Sequence, residues 1–325
     1  MASMRRHKLK IGVAIVVVAS LAIGYAWFGR GFAIEREGLR RQFELWRAGV
    51  QEIQLGSLHA YERNHCAKKT ATASPVCRCV VLIHGMADEG LTWRRLLVAE
   101  GATWKIPVRL VALDLPAAGK SPPPVQPEDF RVRRLAQTVS ASLAKLEGCD
   151  ERVIVGNSLG GWVASWLALD HPALASRLLL LSPAGIRAFS ATRDPNDPVA
   201  KLFREPTVEG LKEFQARAYY KPRPLPDEVW KLAVERMKSA PTAGGLAAQT
   251  PEDYLDANLS QLRVPTMILW GEADRIIPLE QGRIFKDLVP GAVFQSIAEC
   301  GHLPQKECPQ VVIQALHQLA ALGLM

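Results

Sequence analysis

The 325-residue sequence has no Walker loop, no His-Glu-x-x-His run and no cysteine pair at zinc-binding spacing, since Cys77-Arg78-Cys79 is too tight for a zinc knuckle. The residues therefore call for no metal and no cofactor. Evenly spread basic charge is lacking too. Of the net charge of +8, the first 50 residues supply nine Lys or Arg against three Glu, hence +6, and the other 31 basic and 29 acidic residues leave +2. A balance so close to neutral offers no basic stripe for phosphates, and no nucleic-acid motif accompanies it. Apolar residues make up 48% and aromatics 7%, ordinary for a globular protein, and no repeat or low-complexity tract breaks the chain. Beyond the first 50 residues roughly 275 remain, enough for one α/β domain with a large core.

One stretch carries chemistry. Arg152-Val153-Ile154-Val155 is a β-branched run that breaks into Gly156-Asn157-Ser158-Leu159-Gly160-Gly161, and the apolar helical pattern Trp162, Val163, Ala164, Trp166, Leu167, Ala168 follows at once. Strand, Gly-x-Ser-x-Gly and helix in that order make a nucleophile elbow. A serine hydroxyl needs a sharp turn where a base can reach it, and glycines on either side remove the Cβ atoms that obstruct the turn. Leu159, at the start of the helix, offers its N–H to a developing oxyanion.

The partners of Ser158 are expected downstream, acid before histidine. Val264 to Gly271 reads as a buried strand ending at Glu272-Ala273-Asp274, and Val293 to Ile297 as another, followed by Cys300-Gly301-His302. Asp274 and His302 both lie just past strand ends, where the loops of an open α/β sheet carry their functional groups. His171 precedes a proline at a helix end and His317 lies within the last amphipathic helix, so His302 is the candidate base. Glu272, in the same loop as Asp274, is the lesser candidate for the acid.

From about Gln51 to the C-terminus the chain resembles the α/β-hydrolase superfamily. Val80-Val81-Leu82-Ile83-His84-Gly85-Met86 is similar to its His-Gly turn after the third strand, Leu178 to Pro183 to the strand before its cap, and Trp270 to Pro278 to its acid loop. Leu110 to Pro116 is similar to the next strand, although Ala117-Ala118 replaces the usual Gly plus aromatic or His. The resemblance implies a mostly parallel eight-stranded sheet flanked by helices, with a helical cap after strand 6. It also implies the N–H of Met86 as a second oxyanion donor, and it adds His84, Asn157 and Leu303 to the residues expected around the substrate.

Between Gly185 and about Asn258 the strand rhythm stops. Proline-rich punctuation separates helical stretches at Leu211 to Tyr220 and Asp227 to Met237, with Asp227 an N-cap after Pro226. Of the apolar residues Phe203, Phe214, Tyr219, Tyr220 and Trp230, two or three are expected at the substrate and the others in the core of the cap. A further helix is expected from about Glu128 to Leu146. The chain divides into an anchor or signal segment over 1–30, a basic linker over 31–50, core over 51–184, cap over 185–258 and core over 259–325.

Ile11 to Phe28 is eighteen residues without a charge, preceded by Arg5, Arg6, Lys8 and Lys10. As a helix it spans roughly 27 Å, close to the hydrocarbon thickness of a bilayer. A cleaved signal peptide is the competing reading, with Gly24-Tyr25-Ala26 as its small-x-small site, but the apolar run is longer than a usual signal core. Basic residues on both sides of the span leave its orientation open. Six cysteines suit an exported domain and permit 15 pairings. The resembled fold implies that Cys79 and Cys149 approach neighbouring strands from one end, while Cys300 and Cys308 bracket the His302 loop and Cys66 and Cys77 bracket a polar loop. The expected location is membrane-anchored, with the catalytic domain outside the cytoplasm.

These readings predict a serine hydrolase of carboxylic esters with lipid-like or medium acyl chains, similar in layout to membrane-anchored monoacylglycerol lipases and esterases. Its partners are a small ester or lipid and, through the N-terminal segment, a membrane, with no nucleic acid. Carbon–carbon bond hydrolases of the superfamily share a Gly-Asn-Ser-x-Gly-Gly elbow but usually place Trp where this chain has Leu303. Dehalogenases and epoxide hydrolases use an Asp nucleophile, against Ser158. A membrane-tethered binding protein is the non-enzymatic alternative.

Overall fold

The computed structural model describes residues 37–66, 76–99, 103–104, 107–187, 189, 194, 196–239 and 249–321. The apolar run Ile11 to Phe28 lies outside them, and among the described residues no helix is long and apolar enough to cross a membrane. The chain forms two compact units, Met1–Arg47 and Ala48–Met325. In the first, residues 37–47 are one helix, laced by the pairs Arg40–Glu37 at 2.8 Å, Arg40–Glu44 at 2.7 Å and Arg41–Glu37 at 3.0 Å. Three and four residues apart, these charges share one face of the helix.

The second unit is built on an eight-stranded sheet of order β1-β2-β4-β3-β5-β6-β7-β8. β1 (Gln51–Leu55) and β2 (Leu58–Asn64) form an antiparallel hairpin, and β2 runs antiparallel to β4 (Val108–Leu113). From β4 onwards every pairing is parallel, through β3 (Arg78–Ile83), β5 (Glu151–Asn157), β6 (Arg177–Leu181), β7 (Thr266–Gly271) and β8 (Val293–Ile297). The central strands are continuous apolar runs because helices cover both faces of a parallel sheet.

Side-chain alternation divides these runs into two cores. Val81, Ile83, Val111, Leu113 and Ile154 pack with the helices Val132–Leu143, Leu159–Asp170 and Leu279–Leu288. Val80, Leu82, Leu110, Val153, Val155 and Leu181 pack on the opposite face with Trp93, Leu96, Leu97 and the helix Pro309–Ala321. The helix expected from about Glu128 is broken. A 3-10 turn covers Pro127–Phe130, Arg131 is extended, and the regular helix starts at Val132. Arg131 leaves the helix to bind the buried carboxylate of Asp253, with Nε 2.9 Å from Oδ2.

Between β6 and β7 the chain inserts the helices Pro198–Leu202, Val208–Ala218 and Asp227–Ser239. Asp197 caps the first through the N–H of Val199 at 2.8 Å, and Thr207 caps the second through the N–H of Gly210 at 3.0 Å. That cap explains why the second helix begins earlier than Leu211. Asp227 is the first residue of the third helix rather than its cap. The insertion returns to the core at Asp253, whose carbonyl accepts the indole N–H of Trp162 at 2.7 Å and of Trp166 at 2.6 Å.

All six cysteines are paired, as Cys66–Cys77, Cys79–Cys149 and Cys300–Cys308. The first closes the segment between β2 and β3. The second ties the start of β3 to the chain just before β5, and the third brackets His302.

Candidate active site

Ser158 follows β5 directly and adopts φ 56° and ψ −119°, a left-handed conformation for a residue with a side chain. Holding it there costs on the order of 1–3 kcal/mol, which the surrounding contacts must offset. Two close approaches show how. A Cβ on Gly156 would lie 2.2 Å from the carbonyl oxygen of Gly160, and a Cβ on Gly160 would lie 2.2 Å from that of Ile83. The strand, the turn and the helix can press together only because both positions lack side chains. Ser158 is then locked at both ends, its N–H donating to Leu181 at 3.0 Å and its carbonyl accepting from Trp162 at 3.1 Å and Ala184 at 3.0 Å.

Asp274 and His302 follow β7 and β8, which pair side by side with Gly271 opposite Ile297. His302 Nδ1 donates to Asp274 Oδ2 at 2.8 Å, and both side chains are buried. The other oxygen, Oδ1, accepts the N–H groups of Ile276 and Ile277, each at 2.9 Å. This bonding fixes the orientation of the carboxylate and places the imidazole proton on Nδ1, leaving Nε2 free to act as a base. Glu272, the lesser candidate, faces away, its Oε1 accepting from Ser296 Oγ at 2.7 Å on the exposed side of the loop.

The main chain of His302 is held with equal care. Its N–H donates to Ala218 at 2.7 Å, and its carbonyl accepts from Asn157 Nδ2 at 2.9 Å. Asn157 also donates to Leu181 at 3.0 Å and accepts from Gln305 Nε2 at 3.0 Å. The residue before the elbow serine thus ties the histidine loop to the elbow. Sequence reasoning missed the Ala218 carbonyl, which carries no side-chain signal. The helix ends at Ala218 instead of continuing to Tyr220 because the groups that would extend it are engaged elsewhere, the Tyr220 N–H by Glu307 and the carbonyls of Ala216 and Arg217 by Arg275.

Ser158, His302, Met86, Leu159 and Asn157 all border one cavity of about 220 Å³. Gly85 brings the His-Gly turn close to the elbow, a Cβ there lying 3.3 Å from that of Ser158. The N–H of Leu159, first in its helix, has no intrahelical acceptor. Phe203, Phe214, Tyr219 and Leu303 line the cavity as expected from the sequence, together with the unanticipated Phe189, Leu202, Leu211 and Met237. The Phe203 and Phe214 rings meet edge to face at 6.3 Å.

Two expected pocket residues are not on this lining. Trp230 is buried within the insertion, away from the cavity. His84 is buried behind the turn, its Nε2 accepting the N–H of Leu115 at 3.0 Å and its Nδ1 lying 2.7 Å from the Gly85 carbonyl. An imidazole with both nitrogens engaged by main chain is a brace between the ends of β3 and β4. It borders a smaller void of about 30 Å³ on the far side of Met86 and Leu159, where Ala118 also sits.

Residues 80–315 match the model of the Alpha/beta hydrolase family. The chain belongs to that family. Among relatives of this hydrolase, a 2-hydroxy-6-oxononadienedioate/2-hydroxy-6-oxononatrienedioate hydrolase from a Pseudomonas species is 28% identical over 236 residues, 70% of this chain and 82% of that protein. Two solved structures share the hydrolase fold. A membrane phospholipase A, described as a bacterial virulence factor, superposes with a TM-score of 0.69 at 22% identity, covering 96% of this chain and 97% of its own. A meta-cleavage product hydrolase from Pseudomonas fluorescens IP01 superposes with a TM-score of 0.64 at 19% identity, covering 83% and 97%.

Proposed function

We propose that this hydrolase cleaves carboxylic esters with apolar acyl chains through a Ser158 acyl-enzyme. Ser158 Oγ attacks the ester carbonyl while His302 Nε2 takes its proton, and the same imidazole then protonates the departing alcohol. Asp274 holds the tautomer and stabilises the imidazolium. The N–H groups of Met86 and Leu159 receive the oxyanion. Water repeats the sequence on the acyl-enzyme. The observation carrying this reading is that His302, braced from behind by Asp274, and the strained Ser158 border the same largely apolar cavity. Fluorophosphonate labelling and p-nitrophenyl butyrate turnover by the wild type, both lost in Ser158→Ala, test it; a variant that still labels overturns it.

The relatives favour a second reading, hydrolysis of a carbon–carbon bond in a vinylogous diketone, by the same serine and histidine. The Pseudomonas relative is named for dioate substrates, which carry two carboxylates. The lining here holds Lys306 as its one lysine or arginine among the described residues, and Asp88 already occupies it. That balance suits an uncharged ester better than a dianion. Turnover of a 2-hydroxy-6-oxo-dienoate without turnover of any butyrate ester reverses the preference.

For location, we propose that Ile11 to Phe28 anchors the chain and that the catalytic unit occupies an oxidising space outside the cytoplasm. The pairing of all six cysteines supports this reading, since disulfides persist in such compartments.

A further inference from the structure

The cavity beside Ser158 carries one charged pair that the acyl-transfer steps do not use. Asp88 lies two residues past Met86 and Lys306 four past His302, and Lys306 Nζ donates to Asp88 Oδ2 at 2.9 Å. Both side chains line the cavity and are partly exposed, 33% for Lys306 and 20% for Asp88. Burial is the strongest single influence and pulls the Lys306 ammonium down, but the Asp88 carboxylate, helped by Tyr219 and Glu89, leaves Lys306 above its ordinary value. Burial likewise pushes Asp88 up most strongly, and Lys306, together with His84 and a hydrogen bond from Thr92, holds Asp88 below its ordinary value. Both groups are therefore charged at neutral pH.

Charge balance decides what such a pair can recognise. An ammonium has three donors and a carboxylate about four acceptor positions, and the bond between them uses one of each. Asp88 Oδ1 also accepts the N–H of Glu89 at 3.0 Å, and the carboxylate takes a further hydrogen bond from the Thr92 side chain, which still leaves about one acceptor position on Asp88 and two donors on Lys306. An anion placed on Lys306 adds an unbalanced negative charge beside Asp88 in an apolar cavity, which burial penalises. A hydroxyl adds no charge, and it can accept from Lys306 while donating to Asp88.

Position assigns that hydroxyl to one part of the substrate. His302 must reach the departing oxygen, so the alcohol lies on the histidine side. Lys306 stands on the short helix Pro304–Glu307, which begins two residues after His302. The acyl chain is left the apolar wall supplied by Phe203, Leu211, Phe214 and Met237. We infer that Asp88 and Lys306 form a hydroxyl-binding subsite for the leaving alcohol, which makes uncharged acyl esters of a diol or triol the preferred substrates. This inference rests on the ester-hydrolase reading above.

The test compares kcat/KM for 1-monobutyrin, propyl butyrate and 2-carboxyethyl butyrate, which share one acyl group. The wild type is set against Asp88→Asn, Lys306→Met and the double variant Asp88→Leu with Lys306→Met, which leaves no lone buried charge and so preserves folding. The wild type should favour monobutyrin over propyl butyrate by about tenfold, the worth of one or two net hydrogen bonds, and each variant should erase that preference. A ratio unchanged in the double variant overturns the subsite. A wild-type preference for the carboxylate-bearing ester, lost in Lys306→Met, overturns it in favour of an anion site. Hydrolysis of propyl butyrate with no discrimination removes this inference alone, whereas hydrolysis of none of the three esters removes the ester reading with it.

Discussion

The N–H of His302 donates to the carbonyl of Ala218 at 2.7 Å, so the last residue of an insertion helix holds the histidine of the proposed triad in place. Glu307 reinforces the same joint. Its carboxylate accepts the N–H of Gly301 at 2.8 Å and that of Tyr220 at 3.1 Å, bonding the histidine loop and the end of the insertion to one side chain. The insertion is therefore both a wall of the cavity and part of the support for the base.

Glu307→Ala should accordingly reduce kcat by about ten- to a hundredfold, the scale for a misplaced reacting group, with KM changed far less. Steady-state kinetics on p-nitrophenyl butyrate give both constants. A kcat equal to that of the wild type would show that the Ala218 bond suffices.

Ser158→Gly should abolish ester turnover and stabilise the fold by about 1 kcal/mol, because glycine occupies φ 56° without steric penalty. Urea unfolding followed by circular dichroism measures the difference. A variant less stable than the wild type would mean that the serine side chain contributes packing that outweighs its backbone strain.

Within the acid loop, Asp274→Asn should lower kcat by about 10³–10⁴, the scale for an acid that fixes a histidine tautomer. Glu272→Gln should leave activity nearly intact, since Glu272 bonds Ser296 on the exposed side. The reverse ranking of the two variants would reassign the acid.

The elbow glycines admit no methyl group. Gly160→Ala places a Cβ 2.2 Å from the Ile83 carbonyl oxygen and 2.5 Å from that of His84, and backbone on both sides leaves nothing free to yield. The expected result is insoluble protein, or a loss of at least about 3 kcal/mol by thermal unfolding, at the severe end for a single substitution. A soluble variant of wild-type stability would mean that the elbow is looser than this packing.

Protein purified from its native host without reductant should resist alkylation at all six cysteines, as the three bridges require. Mass spectrometry after iodoacetamide treatment reads each thiol. Labelling of Cys300 and Cys308 alone would remove the bridge around His302, and labelling of all six would place the domain in a reducing compartment.

The residues that determine this site announce themselves unevenly. Gly156, Ser158 and Gly160 are legible because a crowded turn restricts residue type at each position, and Asp274 and His302 because both directly follow apolar strands. His84 was misplaced because a histidine next to the oxyanion turn looks the same in sequence whether it faces substrate or braces β3 against β4. Trp230 could not be told from the cavity aromatics in advance, because an aromatic in an amphipathic helix signals burial without saying against what. Lys306 escaped notice since a lone lysine after a proline reads as solvated, and only the chain reversal that brings Asp88 beside it reveals the pair. The break at Arg131 was equally hidden, for it depends on a carboxylate more than a hundred residues away.

Two of the bridges diverge from cysteines separated only by Arg78: Cys77 joins Cys66 and Cys79 joins Cys149, with sequence separations of 11 and 70. A chain that exchanged those partners would displace β3 by two residues, and a two-residue slip keeps every side chain on its proper face of the sheet. The apolar pattern that normally rejects a wrong register is blind to this one. A chain that closes the wrong pair first can recover only by reshuffling that bond, which takes seconds to hours against about a hundred microseconds or less for collapse. Yield in a foreign host should thus follow the supply of isomerase more closely than the rate of synthesis.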